Sequence, residues 1–241
     1  MIRNSDLKGY EIPGKMDRLK ATLFADDTTV YLSEEDDFGV LQGILDKWCT
    51  AAKAKFNLKK TEIIPIGDRQ YRIFMADTYR DTGNWRNYPR GVHMANEGDA
   101  IRILGAFFGN NFEECAPWTP RMEKIAQVMA RWARGHSTIE GRRHAVSFTI
   151  GAMTQYLTEV QRMPEEVKKR LIALERSFYW DGKSTSPVAL EYLYAPFENG
   201  GRKLLDIQSR NDAIDLVWLK DYLNMGPNRP TWAYIADALL A

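Results

Sequence analysis

Phe24-Ala25-Asp26-Asp27 sets two adjacent carboxylates between short apolar runs. Leu19-Lys20-Ala21-Thr22-Leu23 stands upstream and Thr28-Thr29-Val30-Tyr31-Leu32 downstream. Both flanks are rich in β-branched and aromatic residues, so strands over 19–24 and 28–32 are expected, with Asp26 and Asp27 at the tip of the turn between them. Paired acids at one turn repel each other unless a cation sits between them. Mg²⁺ is the usual solution, because it takes carboxylate oxygens and keeps substrate phosphates as further ligands. Metal-assisted phosphoryl transfer is the chemistry this pair suggests. A bare acidic turn tip is the plainer alternative, since Asp is common in hairpin turns.

The elements that must position the pair follow from periodicity and punctuation. Asp36 and Asp37 cap a helix running to about Phe56, with Val40, Leu41, Ile44, Leu45, Trp48, Cys49 and Ala52 as its apolar stripe. Leu58–Ile66 and Tyr71–Met75 read as strands. Residues 76–100, with Gly83, Pro89, Gly91 and Gly98, read as a long exposed loop. Ile101–Gly109 resumes as a strand or hairpin. Three amphipathic helices then open at Thr119-Pro120, Thr138 and Pro164, with Trp118, Trp132 and Trp180 as expected core anchors. Gly200-Gly201 marks a turn, and helices over about Ser209–Leu223 and Thr231–Leu240 close the chain.

Composition narrows the class. The 241 residues carry a formal charge of +1, with 44% hydrophobic and 27% charged residues, ordinary for a globular chain. Charge is unevenly spread: seven acids and no Lys or Arg lie between Asp26 and Asp46, whereas eleven Lys/Arg stand against six Asp/Glu between Arg121 and Arg176. An acidic metal site beside a basic track for a polyanion fits this pattern, and solvated helix faces explain it equally well from charge alone. Cys49 and Cys115 lack disulfide-scaffold or zinc spacing, and fit a reducing compartment. Without a signal peptide, or an apolar run of the roughly 20 residues that span a bilayer, an intracellular chain of nucleus or cytoplasm, not secreted, is expected.

With these pieces placed, the chain resembles a reverse transcriptase of the non-LTR (LINE-type) retrotransposon kind over roughly residues 8–225. Phe24-Ala25-Asp26-Asp27 is similar to the family's aromatic-x-Asp-Asp palm hairpin, motif C. Ala54-Lys55-Phe56-Asn57-Leu58-Lys59-Lys60-Thr61-Glu62 is similar to motif D, and Ile103-Leu104-Gly105 to motif E. The basic helices look like the family's thumb. Ser177–Lys183 and Asn199-Gly200-Gly201 look like elements found beyond the thumb. The resemblance implies an α+β fold: a partial palm over 1–110, a helical thumb over 111–183 and a helical C-terminal extension over 184–241.

The implied activity is RNA-directed DNA polymerisation by two Mg²⁺, on an RNA template with a DNA primer. Asp26 would be a direct metal ligand and Asp27 a weaker or supporting one. Lys60, with Lys59 as its neighbouring competitor, would stand near the triphosphate. Gly105 would allow close backbone approach to nucleic acid, and Arg142, Arg143, Lys168, Lys169 and Arg170 would meet phosphates. The family's further palm aspartate, fingers and template-positioning glycine segment all precede the hairpin, and 23 residues stand before Phe24. The expectation is therefore a C-terminal polymerase portion, inactive as an isolated chain and reliant on an N-terminal polymerase half. The alternative is a non-catalytic nucleic-acid-binding or helical interaction protein of the same origin.

Overall fold

The computed structural model describes residues 1–183 and 186–241 and shows a mixed α+β chain. Ser184 and Thr185, the first residues of the expected C-terminal extension, lie outside the described residues. The chain divides into two compact units: residues 1–104, 108–111 and 221–241 form one, and 105–107 and 112–220 the other.

In the first unit, β1 (Tyr10–Glu11) pairs with β2 (Arg18–Leu19), and β3 (Ala21–Phe24) with β4 (Asp27–Val30), both antiparallel. Helix α1 (Phe38–Ala52) follows, its first turn capped by the Asp37 carboxylate, which accepts the Gly39 N–H at 2.6 Å. Next come β5 (Glu62–Ile63), α2 (Arg69–Thr82) and β6 (His93–Met94), and β6 pairs parallel to β5 across the helix. The unit also holds β7 (Ile101–Ile103) and the closing helix α9 (Thr231–Leu240). In α9, Asp237 accepts two hydrogen bonds from Arg229, at 2.6 and 2.9 Å.

Three expectations are corrected here. Tyr71–Met75 is helical, not a strand: Asp68 caps α2 through the Tyr71 N–H, and Gly83 ends it in the left-handed conformation. Tyr71, Met75, Ala76 and Tyr79 supply a helical stripe that meets Ile63 and Met94 in a small core. The aromatic and β-branched run suggested a strand, and the caps outweighed it. Residues 76–100 accordingly begin inside α2, and they bury Val92, Met94 and Ala95. Leu58–Lys60 is a 3₁₀ turn, leaving only Glu62–Ile63 as strand. Asn57 explains the turn, because its side chain accepts the Lys59 N–H at 3.1 Å.

The second unit is helical. It contains α3 (Thr119–Arg134), α4 (Ile139–Val146), α5 (Ala152–Gln161), α6 (Glu165–Tyr179), α7 (Leu190–Tyr194) and α8 (Ile207–Tyr222) as far as Lys220. A π-helical turn, Ser147–Gly151, joins α4 to α5. Such a turn releases carbonyls from the helical ladder. Thr154 Oγ1 donates to the Ile150 carbonyl at 2.6 Å, and Arg210 Nη1 donates to the Gly151 carbonyl at 3.3 Å. Trp118, Ile125, Met129, Val146, Ile150, Leu157, Leu171, Tyr179 and Ile207 fill the core. Trp118 anchors it as expected, whereas Trp132 does not and is 48% exposed. Among the described residues, no helix is long and apolar enough to cross a membrane.

Candidate nucleic-acid interface and acidic hairpin

The β3–β4 hairpin is tighter than the strand flanks suggest. Phe24 pairs with Asp27, so the turn consists of Ala25 and Asp26, and Asp27 opens β4. Ala25 takes a φ of +52°, a left-handed value that glycine or asparagine adopts more cheaply. The expected two-acid tip is thus corrected to a tip with one acid and a neighbour on the strand. Leu23 and Phe24 are 62% and 68% exposed, so the hairpin projects apolar as well as acidic side chains.

A residue expected only to cap a helix instead binds the backbone of the segments that flank the hairpin strands. Asp36 is buried and accepts three backbone N–H bonds, from Lys8 (2.7 Å), Ser33 (2.8 Å) and Gly9 (2.9 Å). Burial opposes its ionisation, but the N–H groups of Lys8, Ser33 and Gly9 prevail and hold its carboxyl below the usual range. Asp36 therefore ties the N-terminal segment to the start of α1. Its signal in the sequence is a second Asp beside the cap, one more than the helix start requires.

Asp26 and Asp27 are both exposed, and among the described residues neither carboxylate has a hydrogen-bond or ion-pair partner. No group of three or more His, Cys, Asp or Glu side chains able to hold a metal ion occurs among the described residues. Two carboxylates at one hairpin do not fit a two-Mg²⁺ cage, which needs further oxygen ligands fixed in place. Lys60 is exposed in its 3₁₀ turn, and no hydrogen bond or ion pair joins it to either aspartate. Among the described residues, no direct bond therefore links Lys60 to the acidic hairpin. We expect the chain alone, with Mg²⁺, RNA template, DNA primer and deoxynucleotides, to give no template-directed extension. Extension that disappears in Asp26→Ala would contradict this.

The predicted nucleic-acid residues meet different fates. Gly105, at φ +86°, forms the β7–β8 turn with Leu104; β8 is Ala106–Phe108. A Cβ on Gly105 would stand 3.2 Å from the Tyr156 ring, so glycine serves the turn and this close approach. Arg142 is largely enclosed. Its guanidinium donates to the Ser137, Phe178 and Tyr179 carbonyls and to Asp181, closing the end of α6. Arg143 donates to Glu140 at 2.7 Å and holds that carboxyl below its usual range. Lys168 pairs with Glu165 at 2.5 Å and also donates to Gln208. Lys169 and Arg170 remain exposed and unpaired among the described residues.

A basic surface that the clustered residues did not reveal lies on α3. Met122, Ile125 and Met129 face the core. Lys124, Arg131 and Arg134 fall on the exposed side of the helix and half-buried Arg121 at the edge of the core face, and none of the four has an ion pair among the described residues. They span about 20 Å at the 1.5 Å rise of a helix. Their spacing of three, seven and three residues is the signal in the sequence, less conspicuous than adjacent pairs such as Arg142-Arg143. Neither a protein-family model nor a curated protein matches this sequence.

Proposed function

We propose that this chain is a reverse-transcriptase-derived nucleic-acid-binding protein of the non-LTR kind. It grips a primer–template duplex through the basic face of α3 and contributes Asp26 and Asp27 to a metal site that needs carboxylates from outside these residues. One observation carries the reading: Lys124, Arg131 and Arg134 stand on the exposed side of α3 with Arg121 at its edge, and none is in an ion pair among the described residues, although Glu123 lies on the same helix. Surface cations are ordinarily balanced by nearby acids, and an unbalanced row on a helix matches a row of phosphates. The order of the acidic hairpin, the Asn-x-x-Lys-Thr-Glu run and the basic helices supports the family reading. Replacing all four cations with glutamine tests the binding. Fluorescence anisotropy with a labelled RNA–DNA primer–template should show affinity reduced by at least about tenfold at roughly 50 mM salt, with the fold unchanged by circular dichroism. Unchanged affinity would overturn the reading.

A further inference from the structure

A second surface of the helical unit is built from aromatic rings and cations in alternation. Phe148, on the π-helical turn, is 71% exposed, and its ring stacks on His144 with centroids 6.2 Å apart and planes at 20°. His144 contacts Arg143 at 2.9 Å, and the Arg143 guanidinium lies 5.7 Å from the centroid of the Phe197 ring. Lys203 covers the same ring at 5.4 Å, and Phe197 is still 45% exposed. The run is therefore Phe148, His144, Arg143, Phe197, Lys203. Glu140 and Glu198 are the acids within it, and the Lys203–Glu198 contact is loose at 3.9 Å.

The backbone under Phe197 is built for this presentation. Pro196–Leu204 folds back on α7: Arg202 and Leu204 N–H both donate to the Leu193 carbonyl, and Lys203 N–H donates to that of Ala195. Gly201 packs so tightly that a Cβ would lie 1.9 Å from the Ala195 carbonyl oxygen. A rigid strap and a π-turn, both costly backbone features, thus each raise one phenylalanine into solvent.

We propose that this surface binds single-stranded nucleic acid, with bases stacking on Phe148 and Phe197 and phosphates meeting Lys203, while Arg143, held by Glu140 and only 17% exposed, supports the Phe197 ring. A strand offers flat rings and anions in alternation, which is what the surface receives. A duplex keeps its bases stacked inside and offers no face to these rings. The proposal rests on the nucleic-acid reading given above but uses none of the α3 residues, so the two can fail separately.

The test uses labelled oligo(dT) and oligo(rU) strands beside the primer–template duplex. The double substitution Phe148→Ala/Phe197→Ala should weaken binding of one or both single strands by at least about tenfold and leave duplex binding within about twofold. Phe148→Tyr/Phe197→Tyr, which keeps both rings, should bind like the unaltered protein. The glutamine variant of α3 should show the reverse selectivity. Failure of the unaltered protein to bind either strand, equal strand affinity in the alanine variant, or a parallel loss of duplex binding would each overturn the proposal. Unchanged duplex binding in the α3 variant would overturn the function proposed above and leave this one standing.

Discussion

Gly201→Ala will destabilise the helical unit by about 3–5 kcal/mol, lowering Tm by on the order of 10 °C. A Cβ at this position would meet the Ala195 carbonyl oxygen at 1.9 Å and its carbon at 2.3 Å, and both are backbone atoms that no rotamer change can move. The strap must open, breaking the hydrogen bonds that Arg202, Lys203 and Leu204 send back to Leu193 and Ala195. Gly200 is the internal comparison. It has a φ of +77° and open space around it, so Gly200→Ala costs only the left-handed preference, about 1 kcal/mol. Thermal denaturation of the two variants checks the pair, and equal melting temperatures would refute the steric account.

The second large effect is a dependence on pH set by Glu175. This α6 side chain is fully buried, and its Oε1 has no partner; Oε2 accepts a 3.4 Å hydrogen bond from Tyr194. Burial pushes its carboxyl up to about 8; the Tyr194 hydroxyl opposes the rise and the Asp206 charge adds to it. The folded chain thus keeps a proton that the unfolded chain releases near the ordinary glutamate value. Stability is full below that value, falls as pH rises from about 4.5 to 8, and levels off above, with a slope of up to about 1.4 kcal/mol per pH unit. Glu175→Gln keeps the shape, removes the proton, and should abolish this slope and be the more stable protein at about pH 8. Denaturant titrations at about pH 5, 6.5 and 8 measure it. A variant with the same slope as the unaltered chain would show that Glu175 does not hold its proton.

Glu175 also shows where sequence reading reached its limit. It stands among the six acids of a basic helical stretch; its spacing from Leu171 and Phe178 places it on the buried stripe of α6, but an acid there reads as a surface charge until its Tyr194 partner on α7 is seen. Arg142 failed to read correctly for the same reason, since two of its three carbonyl partners are 36 and 37 residues away. Features written locally were legible. The Asp37 cap and the apolar spacing located α1, and Thr119-Pro120 located the start of α3. The hairpin was legible as a pair of strands, and its register was not, because strand flanks do not fix which two residues turn. At Gly200-Gly201 the turn was visible, and the steric demand on Gly201 was not, because it depends on the close approach of Ala195.

The proposed grip of α3 on the phosphates of a primer–template is tested by a salt titration of duplex binding from roughly 50 to 300 mM. Each phosphate no longer neutralised by a cation reduces the magnitude of the slope of log K against log salt by about 0.9. The dependence should be linear, with a slope shallower by about 3 to 4 when Arg121, Lys124, Arg131 and Arg134 are all glutamine. An identical slope in the two proteins would contradict it.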